Sequence, residues 1–395
     1  MSVAFLMRLY RAKHVLPIAS PPIEDGVVGV ADGRIVAVGR RAEFDGPFTD
    51  LGERVLLPGF VNAHCHLDYT NMAGKLPFKG CFADWIADIV VLKRLWRTKD
   101  YAASASAGLA ALARAGTTTV CDIAASPGNL DLVANAPLRV LSCLELIDVA
   151  GKPAEEKFWE RCAGLAPHAP FTASKELYRK AHGYCRQRRK IFTTHLAESA
   201  EEAAMFEQRS GALYELLAVL GRSPEDCGRG SSVAWLDDCG ALEDALVVHA
   251  NCLSDDDVVR LGRAEAAVVH CPSSHRFYQH PPFPLARLMG EGVLVCFGTD
   301  SAASGTTLDI RAEMRDFLAA FPSVRPGKAL EMATLVAAKA LNQEGITGTL
   351  SIRSCADMIA VPLTSAADDP AEAVVAGRDA VSWMMVNGKV VRDEL

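Results

Sequence analysis

Two histidines stand one residue apart in PGFVNAHCHLD, His64 and His66, at the end of an apolar run. Side chains alternate faces along a strand, so these two imidazoles point the same way and Cys65 points the other way. Such a pair is either a set of surface or hydrogen-bonded histidines or two ligands of a metal ion, and three residues alone leave both open. Other apolar runs also end in metal-capable side chains. His195 closes KIFTTH, His249 closes ALVVH, His270 falls in AAVVHCPSS and Asp300 closes VLVCFGTD. Ten histidines placed at random would rarely end so many strand-like runs. The chemistry this pattern offers is that of a metal centre.

The elements that must position these groups follow from periodicity. Between about Pro58 and Leu350, apolar runs such as TTTVCDIAA, RVLSCLEL and IFTTHLAE alternate with Ala-rich helical stretches such as YAASASAGLAALARAG. Strand followed by helix, repeated about eight times, implies parallel strands closed into a (β/α)8 TIM barrel, an α/β fold whose catalytic groups sit at the C-terminal ends of the strands. Before it, GVVGVADGRIVAVG alternates β-type residues with Gly and Asp turns. After it, AVSWMMVNGKVVRDEL carries an Asn387-Gly388 hairpin signal. The expected organisation is residues 1–57 as the first part of a small sheet, 58–350 as the barrel, and 351–395 as strands that return to pair with the first part.

Composition narrows the function classes. Half of the 395 residues are hydrophobic and 23% are charged, a globular balance. A net charge of -7 argues against a general nucleic-acid binder, which needs a basic footprint. No run reaches the ~18 apolar residues that cross a bilayer, and the N-terminal segment lacks a leader pattern. Twelve scattered cysteines without a C-x-x-C pair read as reduced thiols of a cytoplasmic protein.

The motifs PGFVNAHCHLD, THLAES, VHANCLSDDDV and GTDSAAS, in that order, resemble those of the amidohydrolase superfamily, in particular its cytosine deaminase and chlorohydrolase branch. The resemblance implies a (β/α)8 barrel with a small β-sandwich built from both termini. It implies His64, His66, His195 and Asp300 as metal ligands, with Glu198, His249 and Asp300 as catalytic groups and His168, in GLAPHAPFTAS, touching substrate. Three imidazoles and a carboxylate suit one divalent ion, Zn²⁺ first and Fe²⁺ second, with a position left for water. Binuclear members place a bridging lysine at the end of the fourth strand, where RCAGLAPHAP has none. Asp300 would take a proton from the water, Glu198 would give one to a ring nitrogen, and His249 would stabilise developing charge. The competing role for Glu198, in HLAESAEEAAMFEQ, is a carboxylate at a helix start, and His270 reads as a packing residue.

Phe82 and Trp85 lie in the loop after the first strand, where they would either flank a flat heterocycle or pack a short helix. The FADWI element is similar to one in aminodeoxyfutalosine deaminases, whose benzoate-bearing substrate would call for a cation such as Arg276 or Lys79. His275 follows CPSS where many deaminases of the branch have Asn, which bears on base recognition. The expected function is a deaminase that replaces the exocyclic amino group of a purine-like or adenosine-type substrate, 6-amino-6-deoxyfutalosine among them, with release of ammonia. The alternatives are a hydrolase of a pterin, guanine, cyclic amide or halogenated heterocycle, and a noncatalytic scaffold. The partners expected are a small heterocycle and water, neither nucleic acid nor membrane, with a homodimer left open.

Overall fold

Eight short strands, nearly all buried along their length, build the barrel: β1 (Phe60–Cys65), β2 (Thr117–Ala124), β3 (Arg139–Leu146), β4 (Gly164–Pro167), β5 (Ile191–Leu196), β6 (Leu246–His249), β7 (Ala267–His270) and β8 (Val295–Phe297). The computed structural model describes residues 7–149, 151–305, 307–363 and 369–394. Residues 1–6, part of the segment read as lacking a leader, lie outside the described residues. Each strand pairs in parallel with the next in chain order. Strands buried on both faces read as continuous apolar runs, because helices cover one face and the barrel interior covers the other.

The seam between first and last strands is made just past β8. Cys65 and Asp300 form a parallel bridge, and the amides of Thr299 and Asp300 both donate to the His64 carbonyl, at 3.0 and 3.1 Å. The β1–β2 ladder slips register between Asn62 and Cys65. Such an irregularity re-aims side chains at the rim of a barrel. Asn62 ties it down: its amide donates to Thr299 Oγ1 at 2.8 Å, and its Oδ1 accepts from the amides of His64 and Thr299.

The strands outside the barrel form one eight-stranded sheet drawn from both ends of the described chain. Its centre is the antiparallel pairing of Arg54–Pro58 with Met358–Pro362, which brings the returning strands onto the N-terminal ones. The sheet curls on itself, so that a Cβ at Gly33 would stand 2.8 Å from the Asn387 carbonyl and the rings of Tyr10 and Trp383 meet at 5.2 Å over a separate apolar core. The sandwich-like layering thus comes from one continuous sheet.

Candidate active site

The strand ends converge. His64 and His66 from the end of β1, His195 from β5 and Asp300 after β8 place one potential ligand atom each within 4.8 Å of one another, all four buried. His66 Nε2 and His195 Nε2 stand 3.4 Å apart, and Asp300 Oδ1 lies 3.6 Å from Nε2 of both His64 and His66. Separations of this length are those that nitrogen and oxygen donors take around one shared ion such as Zn²⁺. His195 Nδ1 donates to the His168 carbonyl at 2.8 Å, which leaves its Nε2 lone pair aimed at the cluster. Neither ring nitrogen of His64 has a hydrogen-bond partner among the described residues, although the side chain is fully buried. Leaving buried polar atoms unpaired costs about 1–3 kcal/mol each. A divalent cation would take one of these two nitrogens and remove the cost there, so the donor set fits such an ion.

Electrostatics agree with the donor geometry. Burial, together with neighbouring imidazoles, pushes His66, His168 and His249 well below the ordinary histidine range and His195 down to about 4. They are therefore neutral at pH 7, the form that binds metal. Burial raises the Asp300 carboxyl, but the nearby His64, His249 and His66 outweigh it and hold the group well below the usual carboxylate range. Ser274 and Ser304 hydroxyls donate to its Oδ2 at 2.7 and 2.8 Å, and the Ser301 amide donates to Oδ1 at 2.6 Å, which fixes its orientation.

Glu198 sits beside this cluster, its Oε1 3.6 Å from His249 Nε2. Burial, reinforced by the fields of Asp300, Glu202 and Glu201, pushes its carboxyl well above the usual range, which favours the protonated form. The helix-start role belongs to its neighbours. Ser199 caps the helix Ala200–Gln208, and the Glu202 carboxylate accepts the amides of Ala197 and Glu198, each at 2.8 Å. Several of these strand ends carry left-handed backbone at non-glycine residues: Ala197 (φ 50), His249 (φ 77), Ala250 (φ 50) and Asp300 (φ 55). Conformations of this kind cost roughly 1–3 kcal/mol and persist at sites where the surroundings enforce them.

One cavity at the mouth of the barrel joins these groups. His66, His168, His195, Glu198, His249 and Asp300 line it, as do Phe82 and Trp85 from the helix Phe82–Leu95. Phe82 and Trp85 also meet the Tyr278 ring edge-on, at 5.3 and 5.1 Å, so they serve both as wall and as core. The structure does not bring the other expected contacts to this cavity. Arg276 turns outward to Asp316, and Lys79 pairs with Asp88 at the surface, 2.8 Å away. Charge alone had singled them out, and each has an acidic partner on a nearby helix. His275 stands behind the wall, its Nδ1 3.0 Å from Asn251 Oδ1, while the Asn251 amide donates to the Glu198 carbonyl. His270 packs on Phe283 with ring centroids 3.9 Å apart. Sequence reasoning missed Tyr69, Lys93, Glu145 and Tyr278, all of which line the cavity. Glu145 carried a usable signal, since it too falls at the end of an apolar run, RVLSCLEL.

Donors of this kind at the open ends of parallel strands define a class, the metal-dependent (β/α)8 hydrolases. The chain belongs to the amidohydrolase family, whose model it matches over residues 55–391. Among relatives, it is 31% identical to an aminodeoxyfutalosine deaminase of Deinococcus radiodurans, over 76% of this chain and 77% of the relative. It is 30% identical to a 5-methylthioadenosine/S-adenosylhomocysteine deaminase of Moorella thermoacetica, over 95% of this chain and 92% of that one. Its fold is shared with a solved adenosine deaminase from Xanthomonas campestris with bound zinc, at a TM-score of 0.84 and 23% identity, covering 98% of this chain and 93% of that one. The aminofutalosine deaminase of Helicobacter pylori in complex with methylthio-coformycin has the same TM-score at 22% identity, covering 97% and 100%.

Proposed function

We propose that the protein is a mononuclear aminohydrolase that replaces the 6-amino group of an adenosine-type nucleoside by oxygen and releases ammonia. The observation that carries this reading is the placement of Glu198: a buried carboxyl able to hold a proton, 3.6 Å from His249, in the same aromatic-walled cavity as the three imidazoles and Asp300. The relatives at 30% and 31% identity, named for deamination of 5-methylthioadenosine, S-adenosylhomocysteine and aminodeoxyfutalosine, support it. Aminodeoxyfutalosine is the first substrate to assay.

His64, His66, His195 and Asp300 are the ligands in this proposal, with zinc as the ion and iron(II) as its alternative. When bound, the ion supplies Lewis acidity and lowers the pKa of a coordinated water towards ~7. Asp300, ionised and oriented by three donors, accepts a proton from the attacking water and returns it to the departing amine. Glu198 delivers its proton to the ring nitrogen next to the amino-bearing carbon, which makes that carbon electrophilic. His249 holds the attacking oxygen in line and steadies the charge that develops on it. His168, steadied through Nδ1 by Thr172 Oγ1 at 2.7 Å, turns its other nitrogen to the heterocycle. Water is added, ammonia departs from the tetrahedral carbon, the remaining hydroxyl proton returns to Glu198 in place of the one given to the ring nitrogen, and the ring keeps an oxo group. No helix of the described residues is long and apolar enough to cross a membrane. A cytoplasmic setting is part of the proposal, supported by twelve cysteines that are all free thiols.

The test is a screen for ammonia release from adenosine, 5′-methylthioadenosine, S-adenosylhomocysteine, aminodeoxyfutalosine, adenine, guanine, a pterin and a chlorinated triazine. Turnover of the 6-aminopurine nucleosides is expected. Activity confined to the triazine, with chloride released, would replace deamination by dehalogenation.

A further inference from the structure

Two cavity-lining side chains play no part in the chemistry above. Glu145, near the end of β3, is 92% buried (8% exposed), and among the described residues no hydrogen bond reaches its carboxylate. Lys93, in the last turn of the helix that also supplies Phe82 and Trp85, holds its ammonium 3.8 Å from Glu145 Oε2, beyond hydrogen-bonding range. Both side chains line the same cavity as the donor cluster. Their place relative to the cluster is fixed by packing. The Lys93 ammonium lies over the Tyr69 ring at 4.8 Å from its centroid, and that ring stacks on His66 at 5.4 Å. On the other side Glu145 is in register with Ala166 of β4, two residues before His168. The pair thus stands one aromatic ring away from His66 and one strand away from His168, next to the space the heterocycle would fill.

Their charges constrain what lies between them. A carboxylate only accepts and an ammonium only donates, whereas a hydroxyl does both. An anionic arm on the substrate would be drawn to Lys93 and repelled by Glu145, and a cationic arm the reverse. A neutral pair of hydroxyls satisfies both groups and leaves their mutual attraction in place. We propose that Glu145 and Lys93 form a subsite for the vicinal hydroxyls of a ribose, Glu145 accepting from them and Lys93 donating to them, so that the enzyme takes ribonucleosides in preference to deoxynucleosides and free bases. This inference rests on the adenosine-type reading given above.

The experiment measures dissociation constants by calorimetry on the metal-loaded enzyme for inosine, 2′-deoxyinosine, 3′-deoxyinosine and hypoxanthine, in wild type, Glu145→Gln and Lys93→Met. Hydrogen bonds to a charged group correspond to about 10–150-fold in binding. Wild type is expected to bind inosine tighter than at least one deoxy analogue by a factor in that range. In Glu145→Gln the ratio is expected to fall below about threefold, with hypoxanthine affinity unchanged. Lys93→Met, at a partly exposed side chain, supplies the same test if Glu145→Gln fails to fold. Equal binding of inosine and both deoxy analogues by wild type, or a ratio that survives in the folded variants, overturns the subsite. If ammonia is still released from 6-aminopurines, the deaminase reading stands without it. No ammonia from any 6-aminopurine, with no binding of hypoxanthine or inosine, removes both.

Discussion

Replacing Glu198 by Gln separates proton transfer from everything else the site does. The structural cost is small, because the hydrogen bonds this residue makes belong to its backbone: its amide donates to Glu202, and its carbonyl accepts from Asn251. Among the described residues the side chain makes none, so the substitution breaks no existing hydrogen bond, and the new amide group faces the cavity. Shape and burial are kept, and the ligand set is untouched. What disappears is the ability to hand a proton to the ring. General acid–base catalysis is worth about 10²–10⁴-fold, so kcat should fall by that factor, or roughly 2.7–5.4 kcal/mol in barrier height. The assay is ammonia release at saturating substrate, with metal content by elemental analysis and unfolding temperature measured on the same preparation. A variant within a few-fold of wild type, with chemistry shown to limit the rate, would refute the role given to Glu198. A variant that has lost its metal would show that Glu198 belongs to the ligand shell.

Further expectations follow from the same geometry. Purified protein should carry about one divalent ion per chain, and His64→Ala or Asp300→Ala should lose it, while Cys65→Ser, buried outside the donor cluster, keeps both metal and turnover; two ions per fully active chain by elemental analysis would contradict the mononuclear reading. Gly298→Ala should lower both thermal stability, by about 1–3 kcal/mol, and metal affinity, because a Cβ there would stand 2.8 Å from the Cβ and carbonyl of His64 and from Val269 Cγ1; an unfolding temperature and metal content equal to wild type would show that the seam can relax. Glu313, buried behind Ser273, is pushed up to about 8 by burial from the ordinary 4.5 of a glutamate. The unfolded chain sheds this proton near the lower value and the folded chain near the higher one, so stability from this group is complete at acid pH and is lost as pH rises through about 8. Glu313→Gln should therefore flatten the decline in stability across that window relative to wild type, by a few kcal/mol in order of magnitude, and parallel pH profiles would place the titration elsewhere.

How much of this was legible in the chain depends on whether the signal was local. A barrel strand is a short apolar run, and its C-terminal residue faces the site by construction, so His64, His66, His195, His249 and Asp300 could be found from run endings alone. Residues on the returning loops and helices obey no such rule. Tyr278 reaches the cavity from just beyond the short helix Pro272–Phe277, while its neighbours Arg276 and His275 turn away to Asp316 and Asn251. Three residues within a four-residue stretch thus meet three different environments, and only tertiary packing decides which one faces the substrate. Glu145 is the opposite case: it obeys the strand-end rule, but a lone carboxylate in RVLSCLEL is a weaker chemical signal than a histidine in the same place. Asn62 was invisible for a third reason, since its role arises where the first and last strands meet, at a separation of 237 residues from Thr299. That meeting is also why the metal site and barrel closure are one structure. The His64 carbonyl accepts the amides of Thr299 and Asp300 that close the barrel, while the His64 ring and the Asp300 carboxylate point to the common centre. An ion held between them fastens the seam as well as arming the site, so its removal should loosen first the contact between β1 and the segment after β8, and amide exchange at Thr299 and Asp300 is where that loss would register.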